Sequence, residues 1–202
     1  MKYTLVLFFA LLLSVCSYSQ VTTNRFQKLI QSTFFNPGDT ITKFIGLLTS
    51  QVDTGKEVID LDTISAKGTY RFLPALNDSV ELGKVKFKSV FLQTSKDRKI
   101  IVVGFTKSYF KKDGDFSKEY VEEEYNTIVK YLDEQLKIPS TPYEHPSRMF
   151  KKDGKTPIPH STKGLTWKKE KVSYRIYLTM PLQTDIDSKY FGSINVNAWK
   201  SE

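Results

Sequence analysis

Cysteine is nearly missing from this chain. Cys16 is the only one among 202 residues. It sits in a segment expected to be removed, so the mature chain has no thiol nucleophile, disulfide framework or thiolate metal site. An exported domain without disulfides rests on its core alone, which excludes a stapled miniature scaffold. Histidine is almost as scarce, with His145 and His160 only. A zinc site would need both plus a carboxylate such as Glu144 or Asp153, and their spacing is not that of a helical pair. They read as exposed loop residues, and no metal is expected.

Other chemical motifs are missing too. Ser193 follows Gly192, but no Gly-x-Ser-x-Gly elbow occurs. No glycine-rich phosphate loop is present, so no cofactor is expected. Asp60-Leu61-Asp62 and Asp113-Gly114-Asp115 do not continue into a twelve-residue calcium loop. No catalytic residue is assigned, and the chain reads as a non-enzyme. The alternative is a hydrolase of an envelope polymer or lipid, working through paired carboxylates whose spacing exists only in space.

No apolar run is long enough to cross a bilayer, which takes about 20 residues. The run Leu5–Leu13 is short, follows the lone positive charge of Lys2, and precedes Ser17-Tyr18-Ser19. That order is a secretory signal over residues 1–19, with cleavage before Gln20 and a periplasmic or secreted product. The minor alternative is a lipoprotein acylated at Cys16, disfavoured by the bulky Val15 before it. Residues 20–202 are read as one domain, large enough for a real core.

Arginine is scarce as well. Basic residues number 30, of which five are Arg, against 22 acidic residues, for a net charge of +8. Nucleic-acid recognition favours the arginine fork, so nucleic acid is not an expected partner. The excess charge lies in residues 148–175, which hold nine bases and the two acids Asp153 and Glu170. Lys151, Lys152, Lys155, Lys163, Lys168 and Lys169 are therefore candidate binding residues. The expected partner is an anionic envelope component or another envelope protein. The aromatics Tyr143, Phe150, Trp167 and Trp199 are candidates for stacking on sugar faces, although the two tryptophans fall in strand patterns that imply packing.

Two helices are expected at the N-terminus. Phe26, Leu29, Ile30 and Thr33 share one face. After Asn36-Pro37-Gly38, Ile41, Phe44, Ile45 and Leu48 share another. Strands follow around Tyr70–Phe72, along one run from Val85 to Leu92, and at Ile100–Phe105, where β-branched residues mark a central strand. Ser117 or Asp115 caps a long helix to about Lys137, with Val121, Tyr125, Ile128, Leu132 and Leu136 as its buried stripe. Residues 138–164 hold five of the eight prolines and read as a structureless loop. Two or three strands close the chain: Leu165–Lys169, then the alternations Val172–Met180 and Ile194–Ala198. The sum is an α+β fold, with a largely antiparallel sheet of about five or six strands, one long helix across it and an N-terminal helical pair.

Overall fold

The computed structural model describes residues 26–44, 58–59, 68–72, 80–110, 117–144, 149–150, 155, 157–182 and 190–200. The expected signal segment 1–19, Lys151, Lys152, His145 and the later part of the second expected helix lie outside the described residues. The strands in chain order are β1 (Val58–Ile59), β2 (Gly68–Phe72), β3 (Val80–Leu82), β4 (Val85–Phe87), β5 (Ser89–Thr94) and β6 (Ile100–Phe110). After the long helix (Lys118–Leu136) come β7 (Thr141–Pro142), β8 (Met149–Phe150), β9 (Pro157–Ile158), β10 (His160–Lys169), β11 (Val172–Pro181) and β12 (Tyr190–Lys200).

The fold mixes helix and antiparallel sheet. Eight strands join in the order β1-β2-β5-β6-β12-β11-β10-β7, and every pair is antiparallel. The outermost two, β1 and β7, are two-residue strands, so six longer strands carry the sheet. The β-branched run at Ile100 continues as an eleven-residue strand, and it lies beside β12 near the middle of the order.

Two features depart from the sequence expectation. The run Val85–Leu92 is not one strand. It breaks at Lys88; β4 turns back onto β3, and β5 joins the main sheet. The reason is phase. Val85 and Phe87 are buried at odd positions, whereas Val90, Leu92 and Thr94 are buried at even ones. A one-residue shift flips a strand's buried face, so one straight strand cannot bury both sets. The second departure lies in the proline-rich span 138–164. Strand β10 begins at His160, and its residues His160–Gly164 pair with Tyr177–Pro181.

The more deeply buried face of the paired strands is built in rows. Leu92, Val103, Ala198, Tyr174 and Trp167 form one buried row across β5, β6, β12, β11 and β10. Val90, Phe105, Val196, Ile176 and the half-buried Leu165 form the next row on that face.

Residues 26–35 are helical and bury Phe26, Ile30, Thr33 and Phe34. The Phe34 ring meets Phe105 and Tyr174 edge-on, with centroids 5.3 Å and 5.6 Å apart. Gln27 grips the backbone of Glu81 on β3 at both ends of its amide, at 2.7 Å and 2.8 Å. The Tyr174 hydroxyl donates to the Phe35 carbonyl at 2.7 Å, satisfying an orphan carbonyl at the helix end. After Asn36 the chain pairs with residues 98–100 at the start of β6, through a Thr40–Lys99 bridge, and makes a helical turn at 42–44.

The long helix starts as its sequence dictates. Ser117 Oγ accepts from the Tyr120 amide at 3.1 Å. Lys137, in left-handed conformation with φ of 54°, ends it before Ile138-Pro139. Val121, Tyr125, Ile128, Leu132 and Leu136 are its buried residues. Polar contacts connect it to the sheet. Trp167 Nε1 donates to Asp133 at 2.8 Å, and Lys107 donates to Glu124 at 2.6 Å. Tyr109 and Tyr120 also donate to Glu124. Gly83, with φ of 56°, turns the β3–β4 hairpin where an added Cβ would stand 2.5 Å from Tyr131 Cβ on the helix.

Candidate functional site

The opposite sheet face is built from the residues between those buried rows. Thr166, Arg175, Asn197, Gly104 and Phe91 are register partners in sequence across β10, β11, β12, β6 and β5. This row is half-buried apart from the buried Gly104, and it is flanked on the same face by Trp199 and Tyr177. The strands β5, β6, β10, β11 and β12 contain no aspartate or glutamate at all.

Arg175 is the centre of the row. Its guanidinium carbon lies 3.6 Å from the Tyr143 ring centroid and 4.5 Å from that of Trp199. A cation held against aromatic rings is partly repaid for lost hydration. Arg175 Nη1 donates to the Tyr143 hydroxyl at 2.8 Å. Among the described residues this is its one hydrogen bond, it has no ion pair, and its Nε is buried without a partner. The Nε–Nη2 edge, which grips carboxylates and phosphates in parallel, is thus uncommitted.

Its two register neighbours share that property. Thr166 Oγ1 and Asn197 Oδ1 are also buried without a hydrogen-bond partner. An unpaired buried polar group costs about 1–3 kcal/mol, and such groups are few in a native fold. Here all three occupy adjacent positions in one row.

Asn195, two residues before Asn197 on the same face, shows why. Its register partner on β6 is Thr106, whose hydroxyl donates to Asn195 Oδ1 at 3.0 Å. The partner of Asn197 is Gly104, which has no side chain to offer. A Cβ on Gly104 would fall 2.6 Å from Asn197 Oδ1 and 2.1 Å from Phe91 Cε1, so the glycine is what lets both approach. Gly164 does the same at the other end. A Cβ there would stand 2.8 Å from the Tyr143 carbonyl oxygen, which belongs to the residue stacked on Arg175. Burial raises the Tyr177 hydroxyl above its ordinary value, while Asn197 and Arg175 pull it the other way.

The lysines expected to bind do not gather here. Lys151 and Lys152 lie outside the described residues. Lys155 is exposed. Lys163 is on the helix-covered face, 3.7 Å from Glu122 and 4.8 Å from the Tyr125 ring centroid. Lys168 shares the Arg175 face, and Lys169 points the opposite way because successive strand residues alternate. Lys169 instead lines a groove of about 660 Å³ with Lys28, Gln31, Asn36, Tyr131 and Glu170.

Of the stacking aromatics, Trp167 is fully buried, Trp199 and Tyr143 hold Arg175, and the Phe150 side chain lies outside what is described. His160 Nδ1 contacts the Ile158 carbonyl at 2.9 Å, and no cluster of three metal-ligating residues exists among the described residues. Among those residues no helix is long and apolar enough to cross a membrane. Gly104 and Gly164 inside strands were the legible signal for the row, because glycine there marks close approach. Comparison of the chain with protein-family models, with curated proteins and with solved structures returns no match.

Proposed function

We propose that this is an exported binding protein without catalytic activity, which holds an anionic partner on the Arg175 face. Arg175 belongs to the basic segment 148–175, but on this reading the contact centres on one held guanidinium rather than on the exposed lysines. The helical pair and the long helix form the layer that closes one sheet face, leaving the other for the partner. One observation carries the reading: a half-buried arginine whose buried Nε has no partner, with no counter-ion among the described residues and an uncommitted Nε–Nη2 edge. Opposite charge supplied by a ligand is what such a group lacks. Strands without a single carboxylate also favour binding over carboxylate catalysis on this face.

The test is a titration with citrate, following indole emission, since Trp199 lies against Arg175. A saturable change is expected for the native protein. It should vanish in Arg175→Gln and persist when Lys151, Lys152, Lys155 and Lys163 are all changed to Gln. The reverse pattern would return the contact to the lysines. Export is checked by mass spectrometry of the mature N-terminus, expected at Gln20.

A further inference from the structure

We infer that the ligand of this face is a carboxylate carrying a neighbouring hydroxyl, of the kind found in a uronic-acid unit of an acidic polysaccharide. The inference deepens the anion-binding reading and rests on it.

The three unpartnered atoms differ in what they demand. Arg175 Nε is a donor and calls for an anionic acceptor. Its planar fork fits the two oxygens of a carboxylate, and phosphate would serve it as well. Asn197 Oδ1 is an acceptor. An ionised oxygen placed against it would repel, so the ligand must present a hydrogen-bond donor on that side. Thr166 Oγ1, on the other side, both donates and accepts. A bare anion satisfies the guanidinium and leaves Asn197 Oδ1 without a donor, whereas a hydroxy acid satisfies both.

The spacing agrees with one sugar ring. Thr166, Arg175 and Asn197 stand on adjacent strands, so about 4.8 Å separates each from the next. That is the reach from a ring carboxylate to a hydroxyl on the same pyranose. Beyond Asn197 the row continues into the half-buried Phe91 ring lying over Gly104. This apolar surface beside a hydroxyl acceptor suits the C–H face of a sugar. Tyr143, which covers the guanidinium, follows the two-residue strand β7 at the sheet's edge, so ligand access to the buried Nε requires its ring to move aside.

The test compares four probes by calorimetry: galacturonate, galactose, acetate and inorganic phosphate. Galacturonate should bind about tenfold or more tightly than acetate or phosphate, the difference that one or two well-made hydrogen bonds supply. Galactose should not bind measurably. Asn197→Leu should abolish the preference, leaving galacturonate no better than acetate. Asn197→Asp places a counter-ion beside Arg175 and should suppress all anion binding while unfolding no earlier in urea, which separates a filled site from a broken fold. Acetate or phosphate binding as tightly as galacturonate would overturn the hydroxy-acid inference and leave the anion reading standing. Binding of none of the four would overturn both. Full galacturonate binding by the Asn197→Asp protein would show that Asn197 does not adjoin the bound carboxylate.

Discussion

Replacing Gly104 by alanine tests the geometry of the Arg175 row directly. In a strand interior, alanine is ordinarily the better residue by about 0.5–1 kcal/mol, because glycine loses more freedom on folding. Here the new methyl would fall 2.1 Å and 2.2 Å from Phe91 Cε1 and Cζ, and 2.6 Å from Asn197 Oδ1. Carbon pairs rest at about 3.5–4.0 Å, so the ring must retreat by roughly 1.5 Å. Overfilling of that kind costs about 1–3 kcal/mol. The net expectation is a loss of about 1–2 kcal/mol, read from urea unfolding followed by circular dichroism. The decisive measurement is a double-mutant cycle with Phe91→Ala. With the ring gone, only the 2.6 Å approach to Asn197 Oδ1 remains, so most of the cost of Gly104→Ala should disappear, giving a coupling within the range for residues in contact. Strictly additive costs would refute the placement of Phe91 over Gly104, and with it the row as described.

Leu132→Ala should cost about 2–5 kcal/mol because Leu132 is fully buried, whereas Glu123→Ala should stay within about 0.5 kcal/mol; equal small losses in chemical unfolding would mean that the wrong helix face is buried. Alkaline stability follows from the tyrosines, since burial pushes Tyr125 and Tyr174 up from 10.0 to about 12. A phenol whose folded value is raised contributes stability that is complete below the unfolded value and is lost as pH climbs through the folded one. Stability should therefore fall between about pH 10 and pH 12, with these two phenolates appearing in absorbance only as the chain unfolds. A single smooth titration of every tyrosine near the ordinary value would count against it.

Local chemistry decides some elements almost alone. The long helix is one. Ser117 accepts the amide of Tyr120, Lys137 closes the last turn before Pro139, and the 3.6-residue spacing from Val121 to Leu136 selects the buried side. The choice of core-facing residues on β11 and β12 is equally local, since the alternation of apolar side chains assigns it. Even the break at Lys88 was written in the shift from odd to even buried positions, although a run of apolar residues masked it. Residues His160–Gly164 were hidden for another reason. Their side chains are mostly polar or small, and they extend because β11 offers them a pairing edge.

The candidate site belongs wholly to tertiary structure. Period-two alternation says that Thr166, Arg175 and Asn197 each leave the buried face of their own strand. It does not say that they stand side by side, because register is set by how neighbouring strands pair. Pairing sets Gly104 opposite Asn197 and Thr106 opposite Asn195, so one amide oxygen is satisfied and the other is not. Composition and pattern thus determined a mixed helix-and-sheet fold with a single cysteine, Cys16, and its charge gathered late in the chain. Only strand registry set Arg175, with its buried and unpartnered Nε, between Thr166 and Asn197.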